Sequence, residues 1–340
     1  MEFDNRGLHI PERSKAFDSV DSKVEIEILD NDLLHHYGKT ETSRSSRYAL
    51  SYSIVMVKLS AVEGGSTSYL PKLEQKVIDR IFSVIRTCDA VGKTVGYTFI
   101  ILLPQTDYFG SLITTRKLLD AFEPLSEEAA QYAKIEVMQA SYPHHGTDFK
   151  KLLDVVEDRL RRKRASLWTT LNMDKKIFWE MLETAAALEE KDIHHAQFET
   201  SPDGELKEDF VYTVNDAIIN EIMADPYKRG ILYISLPKIA KNEPLVARLQ
   251  GVFDNETKIY IVGEKSGVDF DNPNIIVRHL TDQRLLETSF TLFMNKDVAY
   301  GLFTKESWGG VKTCFHTSDK FLVEGMITRL QRDYAMEENF

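Results

Sequence analysis

The chain has 340 residues, 43% of them hydrophobic and 28% charged, with 17 glycines and 10 prolines. That is globular composition, and the length suits two domains that each bury a core. A formal net charge of −11 argues against nonspecific phosphate-backbone binding as the main role, so nucleic acid is not an expected partner.

Residues 1–23 are polar and patternless and are expected to form a loose arm. Nothing near the start resembles a signal peptide, and the longest apolar run, Phe99 to Pro104, is far too short to span a bilayer. Cys88 and Cys314 lie in different halves without metal or redox spacing. A reduced, cytoplasmic protein without a membrane segment is the expectation.

Ile26, Leu29, Leu33 and Leu34 have helical spacing, and that helix is expected to stop in the Gly38 and Thr/Ser-rich stretch. Ser51 to Leu59 reads as a buried strand. A loop over Gly64 to Ser68 follows, then an amphipathic helix from Leu73 to Arg86. Val91 to Pro104 reads as a hairpin with an apolar second strand. A helix over Tyr108 to Phe122, a strand over Ile135 to Ala140 and a turn at Pro143 to Gly146 come next. Phe149, Leu152, Leu153, Val156 and Leu160 then mark one helix face. Residues 24–165 thus read as a compact α/β domain.

Residues 166–340 read as a second α/β domain opening with helices, over Lys175 to Glu190 and Asp209 to Ala224, with a turn at Ser201 to Gly204 between them. Strands are expected at Gly230 to Ser235 and Lys258 to Val262 with a helix between, then at Ile275 to Val277. Phe290 to Met294 and Ala299 to Thr304 read as a hairpin through Asn295 to Asp297. A strand over Val311 to His316 precedes a final helix from Asp319, its N-cap, to about Tyr334.

Several motifs occur in a fixed order in the first domain: Ser43-Arg-Ser-Ser-Arg-Tyr48 before the first strand, Arg86-Thr-Cys-Asp89, and Val95-Gly-Tyr-Thr-Phe99. They continue with Ile100-Ile-Leu-Leu-Pro104, Ala140-Ser-Tyr-Pro143 and Gly146-Thr-Asp148. Together they resemble the GGDEF domains of diguanylate cyclases over roughly residues 24–165. The resemblance implies a GGDEF-type α/β sandwich. A cyclase of this family holds two divalent cations against GTP with carboxylates on its first strand and in its signature hairpin. Lys58 and Ser60 stand at those strand positions here, and Tyr97 and Thr98 at the signature acids. Val95 replaces the first signature glycine, while Gly96 and Phe99 remain. The resemblance therefore implies a degenerate domain that makes no cyclic di-GMP and holds no metal or cofactor.

Arg86 and Asp89 match the family's Arg-x-x-Asp product site. Arginine can donate two hydrogen bonds to guanine O6 and N7, and aspartate can accept from guanine N1 and N2. The family adds an arginine from the following helix. Lys117 falls there, with Arg116 one residue earlier. Arg86, Asp89, Arg116 and Lys117 are thus the candidate cyclic di-GMP ligands, although lysine lacks the guanidinium's bidentate geometry. The alternative is that Arg86 and Asp89 are a helix-terminal ion pair left from ancestry.

Residues Gly230 to Leu330 resemble the DICT sensory domain through Leu245-Val-Ala-Arg-Leu249, Lys258-Ile-Tyr-Ile-Val-Gly263, the Phe290 to Thr304 hairpin and Cys314-Phe-His-Thr-Ser-Asp319. That resemblance implies a sensory or protein-interaction module without catalytic residues. The expected function is a non-catalytic cyclic di-GMP effector that relays to a protein partner, with homodimerisation a further arrangement. The alternative is a nucleotide-independent scaffold on an inactive cyclase fold. Elsewhere, Arg159 and the basic run Arg161 to Arg164 read as a solvated helix end. His35-His36, His144-His145 and His194-His195 read as surface or turn residues, Trp168, Phe178 and Trp179 as a local helical core, and Gly301, Gly309 and Gly310 as turns.

Overall fold

A computed structural model of the protein describes residues 27–62, 67–188, 194–201, 206–207, 209–264, 267–306 and 311–336. The expected N-terminal arm, Ile26, Gly64 and Gly65, the turn residues 202–204, and Gly309 and Gly310 lie outside these residues. The chain is α/β, as its sequence indicates. The first half runs α1 (Asn31–Tyr48), β1 (Tyr52–Ala61), α2 (Leu70–Val84), β2 (Ala90–Lys93), β3 (Thr98–Pro104), α3 (Tyr108–Ala129), β4 (Ala133–Tyr142) and α4 (Phe149–Ala165). The second runs α5 (Leu167–Thr170), α6 (Phe178–Ala186), β5 (His195–Thr200), α7 (Phe210–Ala224), β6 (Gly230–Lys238), α8 (Pro244–Leu249) and β7 (Thr257–Glu264). It ends with β8 (Ile275–His279), β9 (Thr288–Asn295), β10 (Ala299–Glu306), β11 (Lys312–Thr317) and α9 (Lys320–Asp333).

The first sheet is antiparallel, in the order β2-β3-β1-β4. Strand side chains alternate between faces, and both faces are covered, which is why β1 and β3 read as unbroken apolar runs. Val55, Val57, Phe99 and Ile101 pack under α2 and α3. Ile54, Met56, Ile100 and Leu102 pack under α1 and α4. The helix expected to stop near Gly38 continues to Tyr48. Its hydroxyls cause no break because they bond within the helix: Thr40 to the His36 carbonyl, Thr42 to Gly38 and Ser43 to Lys39. Gly38 itself lets the Phe149 ring lie where a Cβ would be, 2.2 Å away. Helix α3 likewise runs past Pro124 to Ala129, held by the burial of Leu125 and Ala129.

The second sheet has the order β5-β11-β10-β9-β6-β7-β8; β6, β7 and β8 are parallel and the other pairs antiparallel. Helices α7 and α8 cover one face through Ile219, Ile222, Val246 and Leu249. Helices α6 and α9 cover the other through Phe178, Met181, Met326 and Leu330. Strand β5 was not expected from sequence. His195, one of the histidines read as surface or turn residues, is buried in it, with Nδ1 2.9 Å from the Thr317 hydroxyl.

The two sheets share a hydrophobic cluster. Tyr108, Phe109 and Leu112 of α3 pack with Tyr233, Tyr260 and the apolar face of α9. Arg116 donates to Gln331 Oε1 at 2.9 Å and to the Thr328 hydroxyl at 3.0 Å, and Gln331 in turn donates to the Tyr233 hydroxyl at 3.0 Å. Arg332 pairs with Asp120, and Arg229 with Asp107 at 3.0 Å. Trp168 of α5, read as part of a local helical core, lies against α9, its ring 2.0 Å from where a Gly325 Cβ would be. Alanine at Gly325 would gain about 1 kcal/mol of helix propensity but force the indole off its seat, an overpacking cost of about 1–3 kcal/mol. The clash wins, so Gly325→Ala should lower the denaturation midpoint; an unchanged or higher midpoint would mean Trp168 does not pack there.

His144 and His145, read as surface or turn residues, lie half-buried in the turn after β4, at this junction. The Ser141 N–H lies 3.0 Å from His145 Nδ1, and Arg159 Nη1 lies 2.8 Å from Nε2. Arg159 stacks over Phe321, and Lys320 over the Tyr108 ring at 4.3 Å. Burial, then the charge of Arg159, pushes the His145 pKa down to about 2. A depressed pKa stabilises the fold fully above the unfolded value, 6.5, and the contribution is lost as pH falls, because only the unfolded chain takes up the proton. Below pH 6.5 the protein should therefore lose up to about 1.4 kcal/mol per pH unit through this residue. Thermal denaturation between pH 7 and 5 should be shallower in pH for His145→Gln than for the unsubstituted protein; parallel curves would refute the assignment.

Candidate functional site

The signature segment forms the tip of the β2–β3 hairpin, closed by the Thr94 N–H donating to the Thr98 carbonyl at 2.9 Å. Val95 is 91% exposed, and Gly96 has φ +69°. Phe99 is fully buried beneath the sheet, whereas Tyr97 is only partly covered, with Lys93 Nζ 5.6 Å from its ring centre. The β1–β3 register sets Lys58 opposite Thr98, and the β1–β4 register sets Lys58 opposite Glu136 and Ser60 opposite Lys134. The sequence-predicted positions Lys58 and Thr98 are thus true neighbours. Glu136 is the carboxylate in this row, and it pairs with Arg164. Among the described residues no group of three or more His, Cys, Asp or Glu could hold a metal ion. A hard divalent cation needs converging oxygen anions, and a cationic ammonium beside a hydroxyl offers the opposite.

Arg86 and Asp89 lie between α2 and β2 and do come together. The Asp89 carboxylate accepts from the Arg86 backbone N–H at 2.8 Å and from Arg86 Nη2 at 3.2 Å, while the Asp89 N–H donates to the Arg86 carbonyl at 3.0 Å. Arg86 Nη2 also donates to the Thr106 hydroxyl at 2.8 Å. The two side chains differ sharply in access: Arg86 is 56% exposed and Asp89 only 2%. The guanidinium can meet a ligand. The carboxylate is turned inward, closing the tight turn that starts β2.

The two positions on α3 separate. Lys117 is exposed. Arg116 is buried and committed to α9 through Gln331 and Thr328, which sequence spacing alone could not reveal, because the partners lie more than 200 residues away in the chain. Among the basic residues of α4, Arg161 and Arg162 pair with Asp158, and Arg164 with Glu136.

No family model and no curated protein matches the chain. Solved structures similar to it are GGDEF domains. They include a DGC protein from Thermotoga maritima, 18% identical over 39% of this chain and 95% of that one, TM-score 0.33. Another is the active GGEEF domain of a diguanylate cyclase from Vibrio cholerae, 14% identical over 41% of this chain and 92% of that one, TM-score 0.35. A third is the coiled coil and GGDEF domain of DgcB from Caulobacter crescentus in complex with c-di-GMP, 8% identical over 41% of this chain and 78% of that one, TM-score 0.34. At such identities and scores the likeness says nothing about activity. No helix among the described residues is long and apolar enough to cross a membrane.

The asymmetry of the pair yields a stability test. Asp89→Ala strands the Arg86 N–H and opens the turn, at a cost of about 1–2 kcal/mol. Arg86→Ala removes the guanidinium but keeps the backbone N–H from which Asp89 accepts, so the turn stays closed. Urea midpoints should fall clearly for the first and little for the second; equal losses would mean the turn does not depend on Asp89.

Proposed function

We propose that the chain is a non-catalytic signalling protein: a degenerate cyclase-like unit over residues 24–165 that works as a docking body for a second, DICT-like sensory unit over residues 166–340 and for a protein partner. The observation that carries this reading is the site itself. Lys58 and Thr98 face each other across β1 and β3 where metal-holding carboxylates would be needed, so GTP phosphates would find no cation bridge. The reading places the protein in the cytoplasm and allows a homodimer.

The nucleotide-independent form is favoured by the geometry of Asp89 and Arg116. Asp89, the guanine acceptor of an Arg-x-x-Asp site, is 2% exposed and already bonded, and Arg116 is held by α9. A second reading, a cyclic di-GMP effector, is favoured by Arg86, whose exposed guanidinium keeps its spacing from Asp89 and could meet guanine O6 and N7. In that reading Lys117 supplies charge to a phosphate, and the Arg116–Gln331–Tyr233 chain links the bound unit to the second sheet.

Calorimetric titration of cyclic di-GMP into the full chain separates the two. The docking reading expects no saturable heat, and no cyclic di-GMP from GTP with Mg²⁺ or Mn²⁺. Saturable binding that Arg86→Ala weakens about five- to 150-fold, the value of a bidentate guanine contact of roughly 1–3 kcal/mol, would establish the effector reading instead. Steady product formation from GTP would overturn both.

A further inference from the structure

The second sheet carries a crevice that none of the above uses. It lies at the carboxyl end of β6, the strand on either side of which the chain goes different ways: onward to parallel β7, and back from β8 to antiparallel β9. Strand-order reversals leave a gap outside the carboxyl ends, where small molecules settle. This gap has a volume of about 400 Å³ between α7, the end of β6 and the start of β9, within the usual range for small-molecule sites.

Its floor is polar and deeply buried, and its groups are ordered by their neighbours. Asn215 is 5% exposed, and its carbonyl oxygen accepts from the Thr291 hydroxyl at 2.7 Å. That bond fixes the amide and leaves its nitrogen, with two N–H donors, without a partner among the described residues. Ser235 is 3% exposed, and its oxygen accepts from the Phe290 N–H at 2.6 Å, so its own hydroxyl proton is also free to donate. The Ser289 and Thr304 hydroxyls bond to each other, and whichever accepts keeps one further proton to give. The floor thus holds several donors that no described residue uses: the Asn215 amide nitrogen, the Ser235 hydroxyl and one hydroxyl of the Ser289–Thr304 pair. These donors open into the crevice, and an oxyanion is the group that would accept from several of them at once.

The mouth extends the pattern. Lys238 and Lys312 line it and have no ion pair among the described residues, while Glu243 and Glu287 line it as well. Leu245, Leu285 and Phe290 add buried apolar wall. We infer that this crevice binds a small zwitterion of the aliphatic amino-acid class. Its carboxylate would sit on the Asn215 and Ser235 donors with help from Lys238, its ammonium would face Glu243 or Glu287, and its side chain would lie on the apolar wall. The site shares no residue with the Arg86–Asp89 pair, so it stands whether or not cyclic di-GMP binds.

Titration of L-leucine into the full chain, followed by calorimetry and by amide shifts, tests this directly. Saturable one-site binding is expected. It should be weaker for 4-methylpentanoate, which lacks the ammonium, and absent for 3-methylbutan-1-amine, which lacks the carboxylate. Ser235→Ala and Lys238→Ala should each weaken L-leucine binding, the former about tenfold, as expected for a lost hydrogen bond to a charged group. Lys238 is exposed, so its substitution leaves the fold intact if Ser235→Ala does not. No saturable binding of L-leucine up to roughly 10 mM, far above a millimolar dissociation constant, would overturn the inference. So would binding of the amine as tight as that of L-leucine, affinity equal for the acid without its ammonium, or indifference to both substitutions.

Discussion

Helix α3 is buried in two cores, one in each half of its length, and the arrangement of the rest follows from that. Its Leu118, Phe122 and Leu125 seal one face of the first sheet. Its Tyr108, Phe109 and Leu112 enter the core of the second. A helix exposed on one side carries one apolar stripe; this one carries two, with Arg116 between the halves as a buried cation held by amide and hydroxyl acceptors. Because a buried charge without such partners is prohibitively expensive, the position of α9 is fixed wherever Arg116 is fixed. The two sheets therefore do not behave as beads on a string, although each has layers of its own.

Much of this was legible in the sequence, for reasons visible in particular residues. The runs over β1, β3 and β6 are apolar without alternation because both faces of each sheet are covered. Asp319 was readable as a cap and does accept the Phe321 and Leu322 N–H groups. What escaped was decided by distant contacts. His195 to Thr200 carries too little apolar character to announce a strand, and β5 exists because β11 offers it a ladder. The Thr/Ser-rich part of α1 looked like a stop, yet it lies on the first sheet's outer layer and satisfies its own hydroxyls.

The candidate site divides in the same way. The family resemblance named Lys58 and Thr98, which the β1–β3 register sets opposite each other, and the i, i+3 spacing of Arg86 and Asp89 points both side chains the same way, where they pair. Neither could tell that Asp89 faces inward or that Arg116 is spent on α9, because those depend on what covers each side chain. A motif records which groups can meet. Only packing says whether they remain available to anything else.

One small contact ahead of α1 has a consequence for association between molecules. Leu29 bridges to Gly92: its N–H donates to the Val91 carbonyl, and its carbonyl accepts from Lys93. Strand β2 is the outermost strand on that side of the first sheet, and a bare outer strand is a template for recruiting another chain. By engaging these backbone groups with Leu29, the chain occupies part of the edge at which a neighbouring molecule could otherwise add a strand.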